Sequence, residues 1–161
     1  MSFVSSKFEV PGTLKTGHFR LRMLSVNDLV KDYDAVMSSK EHLQKVWRTE
    51  WPEGLTLEQN LVDLGWHQKE FQKRSSFAYT VVAPDESRVL GCVYIYPPSK
   101  KGFDAEVYYW ARHDQLDSEL EAELGSALKQ WFADTWPFDR VAFPGKDIAW
   151  ADWEEMENEE R

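Results

Sequence analysis

Cysteine is almost missing from this chain: Cys92 stands alone among 161 residues. One thiol makes neither an internal disulfide nor a four-thiolate zinc site, so packing must hold the framework together, and a reducing, cytoplasmic setting is the expectation. The histidines, His18, His42, His67 and His113, are scattered without metal-ligand spacing, so no metal is expected. No apolar run is long enough to cross a bilayer, and the N-terminus, MSFVSSKFEV, has neither the basic start nor the apolar stretch of a signal peptide. Positive charge is scarce too: 19 Lys and Arg face 28 Asp and Glu, a net charge of −9. Binding a phosphate backbone needs a basic footprint, so nucleic acid is not an expected partner, and neither is a membrane. An acidic surface suits a cationic substrate such as an amine. Also absent are GxxxxGKS/T, GxSxG, HExxH and GxGxxG, which leaves P-loop, serine-hydrolase, zinc-protease and dinucleotide chemistry with nothing to rest on.

Aromatic residues are plentiful. Eight Trp, nine Phe and six Tyr in a chain that is 42% hydrophobic supply a packed core and exclude disorder. The length fits one domain over residues 1–150, followed by an acidic tail at 151–161 (EEMENEER at its end) that is expected to be disordered.

Periodicity orders the elements. Residues 19–23 alternate Phe-Arg-Leu-Arg-Met and predict a first strand. Asn27 and Asp28 can cap a helix with Leu29, Tyr33, Val36 and Met37 as its stripe, and residues 47–54 read as a loop. A capping box of Thr56 and Gln59 opens a second helix, with Leu57, Leu61, Leu64 and Phe71 as its apolar face. Strands over 77–83, 89–96 and 103–111 are parted by a turn at 84–87 and a break at 97–102, so they form an antiparallel meander. Ser118 and Glu121 form another capping box before Leu120, Leu124, Ala127, Leu128 and Trp131, and Pro137 ends that helix. Residues 140–143 are a last strand, carried by a right-handed crossover to lie parallel to 103–111. The fold class is α/β: a mixed, mostly antiparallel sheet with helices on both faces.

The stretch 106–128, EVYYWARHDQLDSELEAELGSAL, carries the chemistry. A strand end and a helix N-terminus direct free backbone N–H groups at one place, a seat for an anion such as a pyrophosphate. Glu119, Glu121 and Glu123 occupy that helix start, with Gly125 the one glycine. Tyr108 and Tyr109 must point to opposite faces, one into the core and one toward a cleft. Arg112 can meet a phosphate or pair with Asp114 or Glu119. His113 reads as a solvated loop histidine, and Cys92 as a small buried hydrophobe. Trp47, Leu55, Trp51 and Trp66 can bind a planar substrate, cover the sheet, or face a second subunit.

The element order, with AEVYYWARHD followed by ELGSALKQWF, resembles the GNAT superfamily of N-acetyltransferases over about residues 19–143. The resemblance implies a GNAT-like sheet and acetyl-CoA-dependent transfer to an unidentified small-molecule or peptide amine. It implies that the backbone of Tyr109, Trp110, Ala111 and Arg112 holds the pantetheine arm. A Gln/Arg-x-x-Gly-x-Gly/Ala loop falls on Leu120 to Gly125, so that Glu123, Leu124, Gly125 and Ser126 would present amides to the pyrophosphate, with Gly125 the matching glycine. Glu106 takes the general-base position, or is an exposed strand carboxylate; Asp104 on the same face would raise its pKa. Family members commonly place an acidic Tyr in a later helix; here no Tyr follows Tyr109. The carboxylates at the helix start favour an alternative, a binding module of the same fold without CoA. A second copy added at an open sheet edge would make a homodimer.

Overall fold

A computed structural model describes residues 2–113 and 119–160. Asp114 and Ser118, expected to pair with Arg112 and to cap the late helix, lie outside the described residues. Six strands form one sheet in chain order: β1 (Thr13–Lys15), β2 (Arg20–Met23), β3 (Phe77–Val82), β4 (Val89–Tyr96), β5 (Ala105–Ala111) and β6 (Val141–Ala142). Every pairing is antiparallel except β5 with β6, which is parallel as the crossover requires. The helices are α1 (Leu29–Ser38), α2 (Lys40–Trp47), α3 (Leu57–Gln72), α4 (Leu120–Asp134) and α5 (Trp150–Glu155).

The three central strands are apolar on both sides because both sheet faces are covered. Along β5, Ala105, Val107, Tyr109 and Ala111 pack with Leu124, Leu128 and Trp131 of α4. Trp110 packs the opposite way, with Ala35 and Val36 of α1, Leu43 of α2 and Leu64 of α3. Helices therefore lie on both faces, and the period-two reading of Tyr108 and Tyr109 holds.

Several elements differ from expectation. Asp28 stands at the N-cap position of α1 as expected but makes no side-chain cap bond there; instead Ser25 and Asp28 form a capping box around the 3₁₀ turn just before it, and Asp28 also holds Arg22 at 2.7 Å. The helix α3 starts on its Thr56–Gln59 box, but Leu57 and Leu61 are exposed. The face turned inward is Asn60, Leu64 and Phe71, a helical stripe rotated from the expected one. α2 and β1 are short elements that composition did not mark.

The acidic tail makes specific contacts with the rest of the chain. Residues 150–155 are helical, and Trp153 is buried against Phe103 with ring centroids 5.6 Å apart. Two lysines in the β4–β5 connection answer the tail's charge: Lys101 pairs with Glu157 at 2.5 Å, and Lys100 Nζ donates to the Met156 carbonyl (3.0 Å) and Asn158 Oδ1 (2.8 Å). Charge alone predicts fraying; the buried indole and the lysine contacts act against it. Trp153→Ala is expected to release the segment, read as faster proteolytic trimming of the C-terminus.

Candidate functional site

β5 is paired with β4 from Glu106 to Ala111, yet β6 accompanies it only at Ala105 and Glu106. Beyond that point the two parallel strands part. Among the described residues no strand pairs with the other edge of β5 over 107–111. Backbone N–H and C=O groups on an open edge seek partners, and an extended polar chain can supply them.

Glu106 sits where the strands part. It is 7% exposed, and its carboxylate accepts hydrogen bonds from Ser99 Oγ (3.1 Å) and Tyr108 Oη (3.0 Å). Burial raises its pKa above the ordinary carboxylate value, partly offset by those two hydroxyls. The exposed-carboxylate reading is therefore excluded. The coupling to Asp104 is corrected as well: Asp104 accepts the backbone amides of Asp139 and Arg140, both at 2.8 Å, and fixes the turn into β6. Ser99 gave no signal in the sequence, since the loop connecting β4 to β5 brings it to Glu106.

The side chains of residues 109–112 are turned away from any ligand lying along the edge. Tyr109 is buried on the α4 face with Lys146 Nζ 5.0 Å from its ring centre. Trp110 is fully buried on the other face, and Ala111 is buried. Arg112 does not reach Glu119: its Nη1 donates to the Val89 carbonyl (3.1 Å) and to Asp34 (3.4 Å). What this stretch leaves open along the edge is backbone.

Glu123, Leu124, Gly125 and Ser126 lie inside α4 rather than in a loop before it. The Glu123 amide is already bonded to the Glu119 carbonyl at 3.1 Å. Among the described residues, the amides of Leu120, Glu121 and Ala122 are the ones helix geometry leaves open, one turn upstream of the expected set. Two of the three carboxylates at the helix start have side-chain partners. Glu123 binds His18 at 2.8 Å, and Glu121 binds both His42 and Lys146 at 2.6 Å. Burial alone would raise the Glu121 carboxyl, but the hydrogen bonds from His42 and Lys146 outweigh it and leave the pKa lowered. His113 is exposed beyond the end of β5, as expected of a loop histidine, and His42 stacks on it with centroids 4.5 Å apart.

Gly125 has a packing reason. A Cβ there would run into the phenol oxygen of Tyr109. Gly→Ala inside a helix normally stabilises by about 1 kcal/mol. Here the sign is expected to reverse, with Gly125→Ala destabilising by about 1–3 kcal/mol in urea unfolding, because the buried Tyr109 ring must move.

The third component is a cavity of about 400 Å³ on the α1–α3 side of the sheet. Trp47, Trp51 and Trp66, left open between packing and binding, line it together with Tyr94, Tyr96 and Tyr108. Its polar lining is Asp32, Asn60, Asp63 and His67, none of which sequence reasoning had singled out. The available signal was period two in Tyr94 and Tyr96 beside Tyr108 on the next strand. Tyr108 belongs to this wall and donates to Glu106, so cavity and carboxylate share one side chain.

No protein-family model and no curated relative matches the chain. Solved structures do. One described as a probable acetyltransferase superposes with a TM-score of 0.66 at 14% identity, covering 81% of this chain and 72% of that one. RimL, a ribosomal L7/L12 α-N-protein acetyltransferase solved in complex with coenzyme A, gives 0.58 at 16% identity, covering 77% and 67% of the two chains. The microcin C7 self-immunity acetyltransferase MccE, in complex with acetyl-CoA and AMP, gives 0.58 at 12% identity, covering 78% and 68%. The parted parallel strands, the helix that starts beside them and these superpositions agree: this chain has the fold of the GNAT acetyltransferases.

Proposed function

We propose that this protein transfers an acetyl group from acetyl-CoA to an amine. The observation that carries the reading is the parting of β5 and β6 at Glu106, which runs an open backbone edge from the start of α4 to a buried carboxylate. The residues fit the group they would hold. The backbone of Tyr109, Trp110, Ala111 and Arg112 would pair with the amides of a pantetheine arm, and the first amides of α4 would face its pyrophosphate. Acetyl-CoA when bound would supply the reactive thioester carbonyl. RimL and MccE, which share the fold, were solved with coenzyme A and acetyl-CoA respectively.

Glu106 acts as general base. An ammonium cannot attack a carbonyl until it loses a proton, and Glu106 takes that proton directly or through the Tyr108 hydroxyl. Burial raises its proton affinity toward the range useful for this task, while Ser99 and Tyr108 hold it in one orientation. Glu121, paired with Lys146 and hydrogen-bonded to His42, leaves the helix start less repulsive to a phosphate than the sequence suggests.

Calorimetric titration with acetyl-CoA and with CoA tests the reading. Micromolar binding, followed by amine-dependent release of free thiol, is the expected result. Binding without turnover across an amine panel would leave the cofactor assignment and remove those amines as acceptors, and no heat at millimolar ligand would remove the cofactor assignment and favour the binding module without CoA.

A further inference from the structure

The cavity beside Tyr108 has a wall that acetyl transfer alone does not demand. Its volume of about 400 Å³ encloses a small organic molecule. Rings of Trp47, Trp51, Tyr94, Tyr96 and Tyr108 form much of it, and aromatic faces present negative charge to a cation. Asp32 and Asp63 line the same space, and among the described residues no lysine or arginine does. Lys69 reaches only the exposed rim, 5.9 Å from the Trp66 ring centre. Burial lowers the His67 pKa to about 4, so its imidazole adds no positive charge at neutral pH. Two buried polar atoms, Trp47 Nε1 and His67 Nδ1, have no hydrogen-bond partner among the described residues. Groups of this kind are usually satisfied by a ligand or a water.

We propose that this cavity is a cage for a small organic cation, and that the acceptor is an amine borne as its ammonium on an aromatic or branched apolar body. The identification as acceptor rests on the acetyl-transfer reading; the cage itself does not. Charge complementarity selects the occupant: two carboxylates and a ring of π faces, with no opposing cation lining the cavity. A peptide is disfavoured because its backbone amides would meet aromatic rings and find few partners. Tyr108 supplies the route to chemistry. The ammonium N–H breaks, its electron pair stays on nitrogen, and the proton passes to Glu106, either directly or by transfer to the Tyr108 oxygen as the phenol proton moves to the carboxylate 3.0 Å away.

The test uses the full chain without acetyl-CoA. Binding of phenethylammonium and of phenethyl alcohol, which keeps the ring and chain but lacks the charge, is followed by calorimetry and tryptophan fluorescence. The expected preference for the cation is on the order of tenfold or more. Asp32→Asn is expected to abolish that preference, and Trp51→Leu to weaken the cation several-fold, with thermal unfolding confirming that both variants fold. Equal binding of the two probes, no binding of either, or an Asp32→Asn variant that keeps the preference would each overturn the cage. A separate acetyl-CoA titration keeps the two readings apart: cation binding without acetyl-CoA binding removes the acceptor role and leaves the cage.

Discussion

Glu106→Gln is expected to lower kcat/KM for acetyl transfer by about 10²- to 10⁴-fold, the usual contribution of a positioned general base. Gln keeps the shape of the side chain and can still accept from Ser99 and Tyr108, so acetyl-CoA affinity and the fold should change little. The pH profile separates catalysis from structure. In the parent protein the rate should climb as Glu106 loses its proton, with the limb displaced upward from the ordinary carboxylate value because burial disfavours the charge. In the Gln variant that limb should be missing. A variant that retains the parental rate and the same limb would show that water or another group takes the proton. The stability effect runs the other way: raising a carboxyl pKa on folding makes the native state bind its proton more tightly, so stability falls as pH rises through the raised value, and Gln removes that loss.

Asp32→Asn should have the largest favourable effect on stability. Asp32 is 4% exposed, and burial raises its pKa from 3.8 to about 6, opposed by the Asn60 hydrogen bond at 2.9 Å and assisted by the charges of Asp28 and Asp63. Between those two values the native protein holds a proton that the unfolded chain has released. Stability of the parent therefore falls as pH rises from about 4 to about 6, by up to roughly 3 kcal/mol at 1.4 kcal/mol per unit. Asparagine carries no charge to bury, and its carbonyl can still accept from Asn60. The variant should unfold at higher denaturant concentration than the parent at pH 7.5, and the two curves should converge near pH 4. The same substitution is expected to erase selectivity for an organic cation. A residue that costs stability while serving recognition is the pattern found at binding sites. A lower midpoint for the variant at pH 7.5 would instead make Asp32 a structural partner of Asn60.

Local rules carried much of the fold. The strands β3, β4 and β5 announce themselves by β-branched and aromatic runs bounded by Pro, Asp, Ser and Gly, and α3 by the Thr56–Gln59 box, because those signals act between near neighbours in the chain. The opposite facing of Tyr108 and Tyr109 follows from the pleat alone. Glu106 was legible only through the strand's resemblance to a known family, and its burial was not. Ser99 reaches it from the adjoining loop.

Where charge and period were the only guides, reading by sequence fell short. The acidic residues near the C-terminus are ordered because Trp153 meets Phe103 and two lysines lie opposite, contacts separated by about fifty positions in the chain. The inward face of α3 was set by Asp32 drawing Asn60 inside, which hydropathy ranks as unfavourable. The carboxylates at the start of α4 are oriented by His18, His42 and Lys146, from both ends of the chain.

Sequence by itself thus determined the sheet's central meander, its flanking helices and the position of Glu106 on a strand, since hydrogen-bonded periodicity and capping are properties of neighbouring residues. Tertiary structure alone decided that β5 and β6 part at Glu106, that Glu121 at the helix start is paired with Lys146, and that three tryptophans and three tyrosines surround a cavity with Asp32 in its wall. Those features depend on which distant side chains share a low-dielectric space, and burial of that kind is a property of the packed molecule.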